Sequence, residues 1–204
     1  MILGASDILI LFFVTLGPLK LIGPFAHATS AMDAAAARQV ALRVFAISTV
    51  CVVLAGFVGA LVLSKWHVSL AALTLAGGII FLLVALLQLL REYEAPPPSL
   101  QSPATPMTTV LRLTFPVAVP PYGLAGVIAL FAAAAQSTRI ELIVALLVLV
   151  MVLNLLGMLY ARRILSGPAV LVLQVVGAVL GVLQVALAVQ IIVRGLRELG
   201  PIFQ

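Results

Sequence analysis

Apolar residues run through this chain in long stretches with little polar alternation, and the charged residues fall between the stretches. A membrane-crossing helix needs roughly 20 such residues. Reading from charge to charge predicts six segments: Ser6 to Ser30, Val44 to Ser64, Val68 to Leu90, Thr108 to Gln136, Leu142 to Tyr160 and Pro168 to Val193. The last is long enough to tilt or to begin in the interface.

Two segments carry breaks. The first reads Thr15-Leu16-Gly17-Pro18-Leu19-Lys20-Leu21-Ile22-Gly23-Pro24-Phe25, and the fourth reads Thr114-Phe115-Pro116-Val117-Ala118-Val119-Pro120-Pro121-Tyr122-Gly123. A plain anchor gains nothing from such breaks, because each frees backbone groups that must be satisfied inside the protein or in a wet cavity. Interrupted segments at corresponding places in two halves point to a transporter's binding site.

Between the third and fourth segments lies Arg91-Glu92-Tyr93-Glu94-Ala95-Pro96-Pro97-Pro98, then Ser99-Leu100-Gln101-Ser102-Pro103, an extended linker by composition. The expected organisation is a three-helix repeat over 1–92, a Pro-rich linker over 93–107 and a second three-helix repeat over 108–204. Three is odd, so the second copy enters the bilayer the other way up. The expected fold class is therefore an all-α membrane protein: six transmembrane helices as two inverted repeats, with discontinuous first and fourth helices. The halves share an order rather than residue identities. Each runs broken segment, plain segment, then a segment with glycines and a late glutamine (Gly77, Gly78, Gln88; Gly177, Gly181, Gln190).

Composition agrees. The 204 residues are 64% hydrophobic and 8% charged, where a soluble domain is about one quarter charged. The net charge of +5 is too dilute for nucleic acid, and the basic residues sit at segment ends as topology signals do. One side collects Arg38, Arg43, Arg91, Arg112, Arg162 and Arg163; the other collects Lys65, Arg139, Arg194 and Arg197. The richer side is read as cytoplasmic, which places both termini in the periplasm. No Lys or Arg precedes Lys20, so the first segment lacks the basic start of a cleaved signal and is expected to be kept.

Lys20 is the one full charge in a break. Near the middle of a span it costs about 3 kcal/mol on insertion scales. A substrate carboxylate or carbonyls freed by Gly17-Pro18 and Gly23-Pro24 would compensate. Two turns on lies His27, with Pro24 expected to interrupt the helix between them; it reads as an interfacial residue. Trp66 reads as an interface anchor beside His67. No Asp or Glu falls inside an apolar segment, since Asp7, Asp33, Glu92, Glu94, Glu141 and Glu198 all lie at ends or in loops. Of the remaining intramembrane polar groups, Asn154 serves either as interhelical glue or as pocket lining, and Gln88, Gln184 and Gln190 also need partners. Thr15, Thr114 and Tyr122 flank the breaks. The candidate substrate-binding set is Thr15, Gly17, Pro18, Lys20, Gly23, Pro24, Thr114, Pro116, Pro120, Tyr122, Gly123 and Asn154.

Enzyme chemistry is not expected. The His-Glu-x-x-His motif is absent, no Ser, His and acid are set out as a triad, and two His with one Cys do not suffice for zinc. No catalytic residue, cofactor or metal site is assigned. Cys51 reads as a packing residue. Gly177-Ala178-Val179-Leu180-Gly181 is a small-residue packing motif, serving either the two halves of one chain or two subunits.

Several stretches resemble the MarC family of small bacterial and archaeal membrane proteins. Gly17-Pro18 to Phe25, followed by Thr29, resembles the family's first-helix Asn-Pro-x-Gly and second Pro-x-Phe. Leu75-Ala76-Gly77-Gly78-Ile79-Ile80 is similar to its Ala-Gly-Gly third helix. Phe115-Pro116-Val117-Ala118-Val119-Pro120 resembles its Phe-Pro-Leu-Ala-x-Pro fourth helix, and Ala188-Val189-Gln190 with Gly195 its closing Ala-Val-Gln. Gly17 stands where the family often has Asn or Asp, Lys20 close to where it has Gly, and the Pro18 to Pro24 spacing is one residue longer. The resemblance implies membership of a superfamily of amino-acid and small-metabolite exporters in the bacterial inner membrane.

The sequence thus leads to a secondary transporter, an exporter, of a small metabolite such as an amino acid or other small carboxylate. The partners expected are the lipid bilayer and a small-molecule substrate, with no nucleic acid and with a homo-oligomer left open. A different class remains beside it: a non-transport membrane protein binding an anionic lipid or a partner through Lys20. Drug efflux and a channel are weaker readings, the latter because no ring of like charges is visible.

Overall fold

The structure, a computed structural model, describes residues 4–91, 105–134, 139–166 and 169–200. Among the described residues every regular element is helical. These are α1 (Ala5–Leu16), α2 (Leu19–Ala28), α3 (Ala34–Lys65), α4 (Leu70–Arg91), α5 (Pro106–Arg112), a π-type stretch (Leu113–Ala118), α6 (Pro121–Ala134), α7 (Ile140–Leu165) and α8 (Ala169–Leu199). By length and hydropathy, α1 with α2, α3, α4, α7 and α8 supply five candidate spans. The pair Pro106–Ala118 and Pro121–Ala134, bent by 61°, makes a sixth. Most of the expected linker, residues 93–104, lies outside the described residues, as do Gln136, Pro168 and the Gln88 side chain.

Proline places the breaks. A residue before proline is pushed out of the helical region, and Gly17 is accordingly extended (φ −74, ψ 169). Pro18 then opens α2, where its missing N–H costs nothing. In the fourth span Pro116 forces Phe115 to be extended (φ −129, ψ 129), across a cis peptide bond, and Pro121 restarts the helix as α6.

Two expectations change. Pro24 does not end the helix: it sits inside α2, exposed, and forgoes the hydrogen bond to the Lys20 carbonyl. The second segment starts ten residues earlier than expected, because Asp33 caps Ala36 N–H at 2.8 Å and the helix runs unbroken from Ala34. At 32 residues α3 is about 48 Å long, more than the ~30 Å hydrocarbon core. Arg38 and Arg43 are exposed on its first turns.

The halves interlock. The broken span of each packs on the middle helix of the other, α1 and α2 on α7, α5 and α6 on α3, while α4 and α8 pack on each other. The main core joins Phe12, Leu16, Ile22 and Phe25 to Val44, Val52, Phe131, Leu147 and Met151. Phe81, Tyr122 and Ala188 form a second cluster. Large apolar side chains such as Leu54, Leu61 and Val182 are left exposed on the outside, which is what a helix bundle presents to lipid. Glycines set the closest seams. A Cβ on Gly59 of α3 would lie 2.5 Å from Ile128 of α6, and one on Gly195 of α8 would lie 2.8 Å from the Leu75 backbone of α4. Gly177 has nothing within 4 Å, so the expected Gly177–Gly181 motif does not bring its first glycine against another element.

Candidate functional site

The two breaks touch. Leu16 ends α1, and its side chain lies against Gly123 in the first turn of α6, where a Cβ would come within 2.6 Å. Its carbonyl, released by the break, accepts a 2.7 Å hydrogen bond from Asn154 Nδ2 of α7. Gly17 is packed onto the preceding turn so closely that a Cβ would sit 1.9 Å from the Phe13 carbonyl oxygen. Gly157, almost one turn past Asn154, leaves room for Pro18, whose Cβ would otherwise stand 3.0 Å away. The α7 helix therefore both caps and seats the first break. Near its far end Arg162 donates from Nη2 to the Thr29 and Met32 carbonyls, both at 2.6 Å, and ties down the end of α2.

Lys20 and Tyr122 hold like places: each is the second residue of the half-helix that follows its break. Lys20 Nζ donates a hydrogen bond to the Tyr122 hydroxyl, and Nζ stands 4.6 Å from the Tyr122 ring centroid. The Tyr122 ring stacks on Phe81 of α4, with centroids 4.6 Å apart and planes 16° apart. Phe81 is 5.8 Å from Nζ. The ammonium thus rests on a hydroxyl and on the negative faces of two rings.

On the other side of Tyr122 is a cavity of about 730 Å³ between α1, α4, α6 and α8. This is within the range usual for small-molecule sites, ~300–1,000 Å³. Its walls are apolar, with Ile8, Leu11, Leu73, Leu130, Leu187 and Ile191 among them. Thr15, Phe81 and Tyr122 line its inner part. Asp7, Arg139, Arg194 and Glu198 line its mouth, at the start of α1 and α7 and the end of α8. Arg194 and Glu198 pair at 2.9 Å. The mouth balances two acids against two arginines, so it selects weakly by charge.

Of the candidate set, Thr15 and Tyr122 line this cavity. Thr15 spends its hydroxyl on the Leu11 carbonyl at 2.7 Å. Gly17, Pro18, Gly123 and Asn154 build the joint behind it, and Lys20 sits behind Tyr122. Pro120, buried, leads into α6, and its carbonyl accepts from Leu124 N–H at 3.1 Å. Gly23 and Pro24 lie along α2, and Pro116 is exposed, so none of the three faces the cavity. Thr114 is buried with its hydroxyl unpaired, as is Asn154 Oδ1. Sequence reasoning passed over Phe81, Thr74, Arg194 and the apolar walls. Phe81 carried a signal, an aromatic one turn beyond Gly77-Gly78, where a Cβ on Gly77 would stand 3.0 Å from Ala125 of α6. Gln190, which sequence marks as a polar group in need of a partner but not as a site residue, lines the cavity one turn from Arg194. Among the described residues no three His, Cys, Asp or Glu gather as a metal site.

Five apolar helical spans and a sixth, bent pair of helices, with the break of the first span meeting that bend, mark a multi-pass helical integral membrane protein. The chain belongs to the MarC family of integral membrane proteins, whose family model matches residues 5–199. No curated protein and no solved structure matches it.

Proposed function

We propose that the protein is a secondary transporter, working as an exporter, of a small metabolite that carries a carboxylate, an amino acid or another small carboxylate. One observation carries this reading: an apolar cavity, open at one end, stops at Tyr122, next to the contact between the two broken spans. Discontinuous helices beside a cavity are where carriers hold their solutes. The amides of Leu19 and Lys20 in α2, and of Tyr122 and Gly123 in α6, stand in first turns, where N–H groups lack intrahelical acceptors and the helix dipole favours an anion.

The exchange of packing partners between the halves supports two inverted three-helix repeats, since a two-fold relation turns α1 and α2 on α7 into α5 and α6 on α3. Rocking one half against the other would close the present mouth and open the opposite end. Asp7 and Glu198 line the same mouth, which agrees with both termini on one side. With the arginine-rich side cytoplasmic, that side is the periplasm, the protein sits in a bacterial inner membrane, and the cavity faces outward.

Solute counterflow tests the proposal. Purified protein is reconstituted in liposomes preloaded with an unlabelled amino acid or carboxylate, and uptake of the labelled form is followed. The expected result is transient accumulation above protein-free liposomes for at least one solute. Folded protein that moves none of a broad panel refutes it.

A further inference from the structure

Resting on that transport reading, we propose that Lys20 is a concealed carboxylate site, closed by Tyr122 in this conformation. Its ligand is a carboxylate on an apolar body that carries no ammonium group of its own.

The first observation is what Lys20 lacks. An ammonium has three donors. One goes to the Tyr122 hydroxyl, and the remaining contacts are the faces of Tyr122 and Phe81. All these partners are neutral. Asp7, Glu141 and Glu198 stand in the first or last turns of their spans, and the ion pair described among the residues is Arg194 with Glu198, at the mouth. A cation placed within a span and given only neutral partners has donors and charge to spare for an anion.

The second observation is where Tyr122 stands. The same side chain lines the cavity and holds Lys20. With Phe81, which also lines the cavity and lies 5.8 Å from Nζ, it stands between them. Rotation of Tyr122 about its Cα–Cβ bond takes its hydroxyl off the ammonium and opens Lys20 to the cavity. A carboxylate then replaces a neutral acceptor with a charged one, which is the stronger bond. The Tyr122 hydroxyl and the ligand therefore compete for one cation.

The cavity's chemistry fixes the rest of the ligand. Between Tyr122 and the mouth the walls include Leu11, Leu73, Leu187 and Ile191, so the body that fills it is apolar. An amino acid bound by its carboxylate would set its own ammonium beside that of Lys20. The acids that line the cavity are too far to balance it. Asp7 is two turns, about 12 Å, from Thr15 along α1, and Glu198 is paired with Arg194. Repulsion between the two cations selects against the amino acid and for the plain carboxylate.

Phenylpropionate, phenylalanine and phenylethylamine share one body and differ in head group. Binding of each to the purified full-length protein is measured by calorimetry, with wild type, Lys20→Gln and Tyr122→Phe. Phenylpropionate is expected to bind at least tenfold more tightly than phenylalanine, and phenylethylamine not at all. Lys20→Gln is expected to lose at least tenfold. Tyr122→Phe keeps the stack on Phe81 and removes the competing hydroxyl, so its affinity is expected to rise about tenfold. A merely structural hydroxyl would leave affinity unchanged or lower it, and this variant decides the matter if Lys20→Gln does not fold. No binding of phenylpropionate, equal binding of phenylalanine, or no gain in Tyr122→Phe overturns the proposal. Counterflow separates the two readings. Binding without flux keeps the carboxylate site and overturns transport, whereas flux indifferent to both substitutions keeps transport and overturns the site.

Discussion

Gly17→Ala adds one methyl group to the first break, and the geometry makes that methyl expensive. An ordinary carbon–oxygen approach is about 3.3 Å, whereas the new Cβ would begin 1.9 Å from the Phe13 carbonyl oxygen. The obstacle is backbone, so no side-chain rotation relieves it. Either the last turn of α1 unwinds or Gly17 moves by about 1 Å, and both displace the Leu16 carbonyl from Asn154. Overpacking of this kind costs about 1–3 kcal/mol. The lost interhelical hydrogen bond adds about 0.6–1.7 kcal/mol in a bilayer. The sum is about 3 kcal/mol, roughly two orders of magnitude in the folding equilibrium. Gly23→Ala is the control, since its Cβ meets nothing within 4 Å. In the interior of α2 it is expected to be neutral or to stabilise by up to about 1 kcal/mol. Reversible unfolding in mixed micelles, titrated with SDS, gives both values. Asn154→Ala in the Gly17→Ala background should add little, because both substitutions break one joint. Equal stabilities for Gly17→Ala and Gly23→Ala would refute the reasoning.

Two further substitutions probe the scaffold. Arg162→Ala strips the Thr29 and Met32 carbonyls of their donor. It should destabilise by about 1–3 kcal/mol in the same titration and speed proteolysis of the α2–α3 turn; unchanged values would show that this clamp is dispensable. Gly59→Ala places a methyl 2.5 Å from Ile128 and should cost about 1–3 kcal/mol. Here the obstacle is a side chain, whose Cγ1 is the nearest atom, so Ile128→Ala in the same chain should recover part of the loss, and absence of recovery would contradict the packing described.

How much of this was legible beforehand follows from what local sequence can encode. The breaks were, because Pro18 and Pro121 act on their own neighbours. Pro24 is expected from sequence to interrupt the helix before His27, yet α2 runs through it, because the neighbouring turns hold the helix across the one missing hydrogen bond. The start of α3 lies before the one that Arg38 and Arg43 suggest, because a helix longer than the membrane carries arginines on its overhang. Lys20 was singled out by the cost of its charge. Its partner was not, since Lys20 and Tyr122 are 102 residues apart and meet only through the contact of α1 with α6. The cavity was not legible at all. Its walls are ordinary leucines and isoleucines of four helices, and nothing distinguishes a residue facing a void from one facing lipid.

The central claim is that the cavity is one face of a solute pathway whose inner end is closed at Tyr122. Cysteine accessibility tests it most directly. With Cys51, which is exposed on α3, replaced by serine, Leu11→Cys places a thiol in the cavity wall. A membrane-impermeant maleimide is then applied to each side of sealed vesicles, with and without a transported solute. Labelling is expected from the side of the chain termini alone, with a marked fall in that labelling when solute is present. Equal labelling from both sides, or none from either, would contradict it.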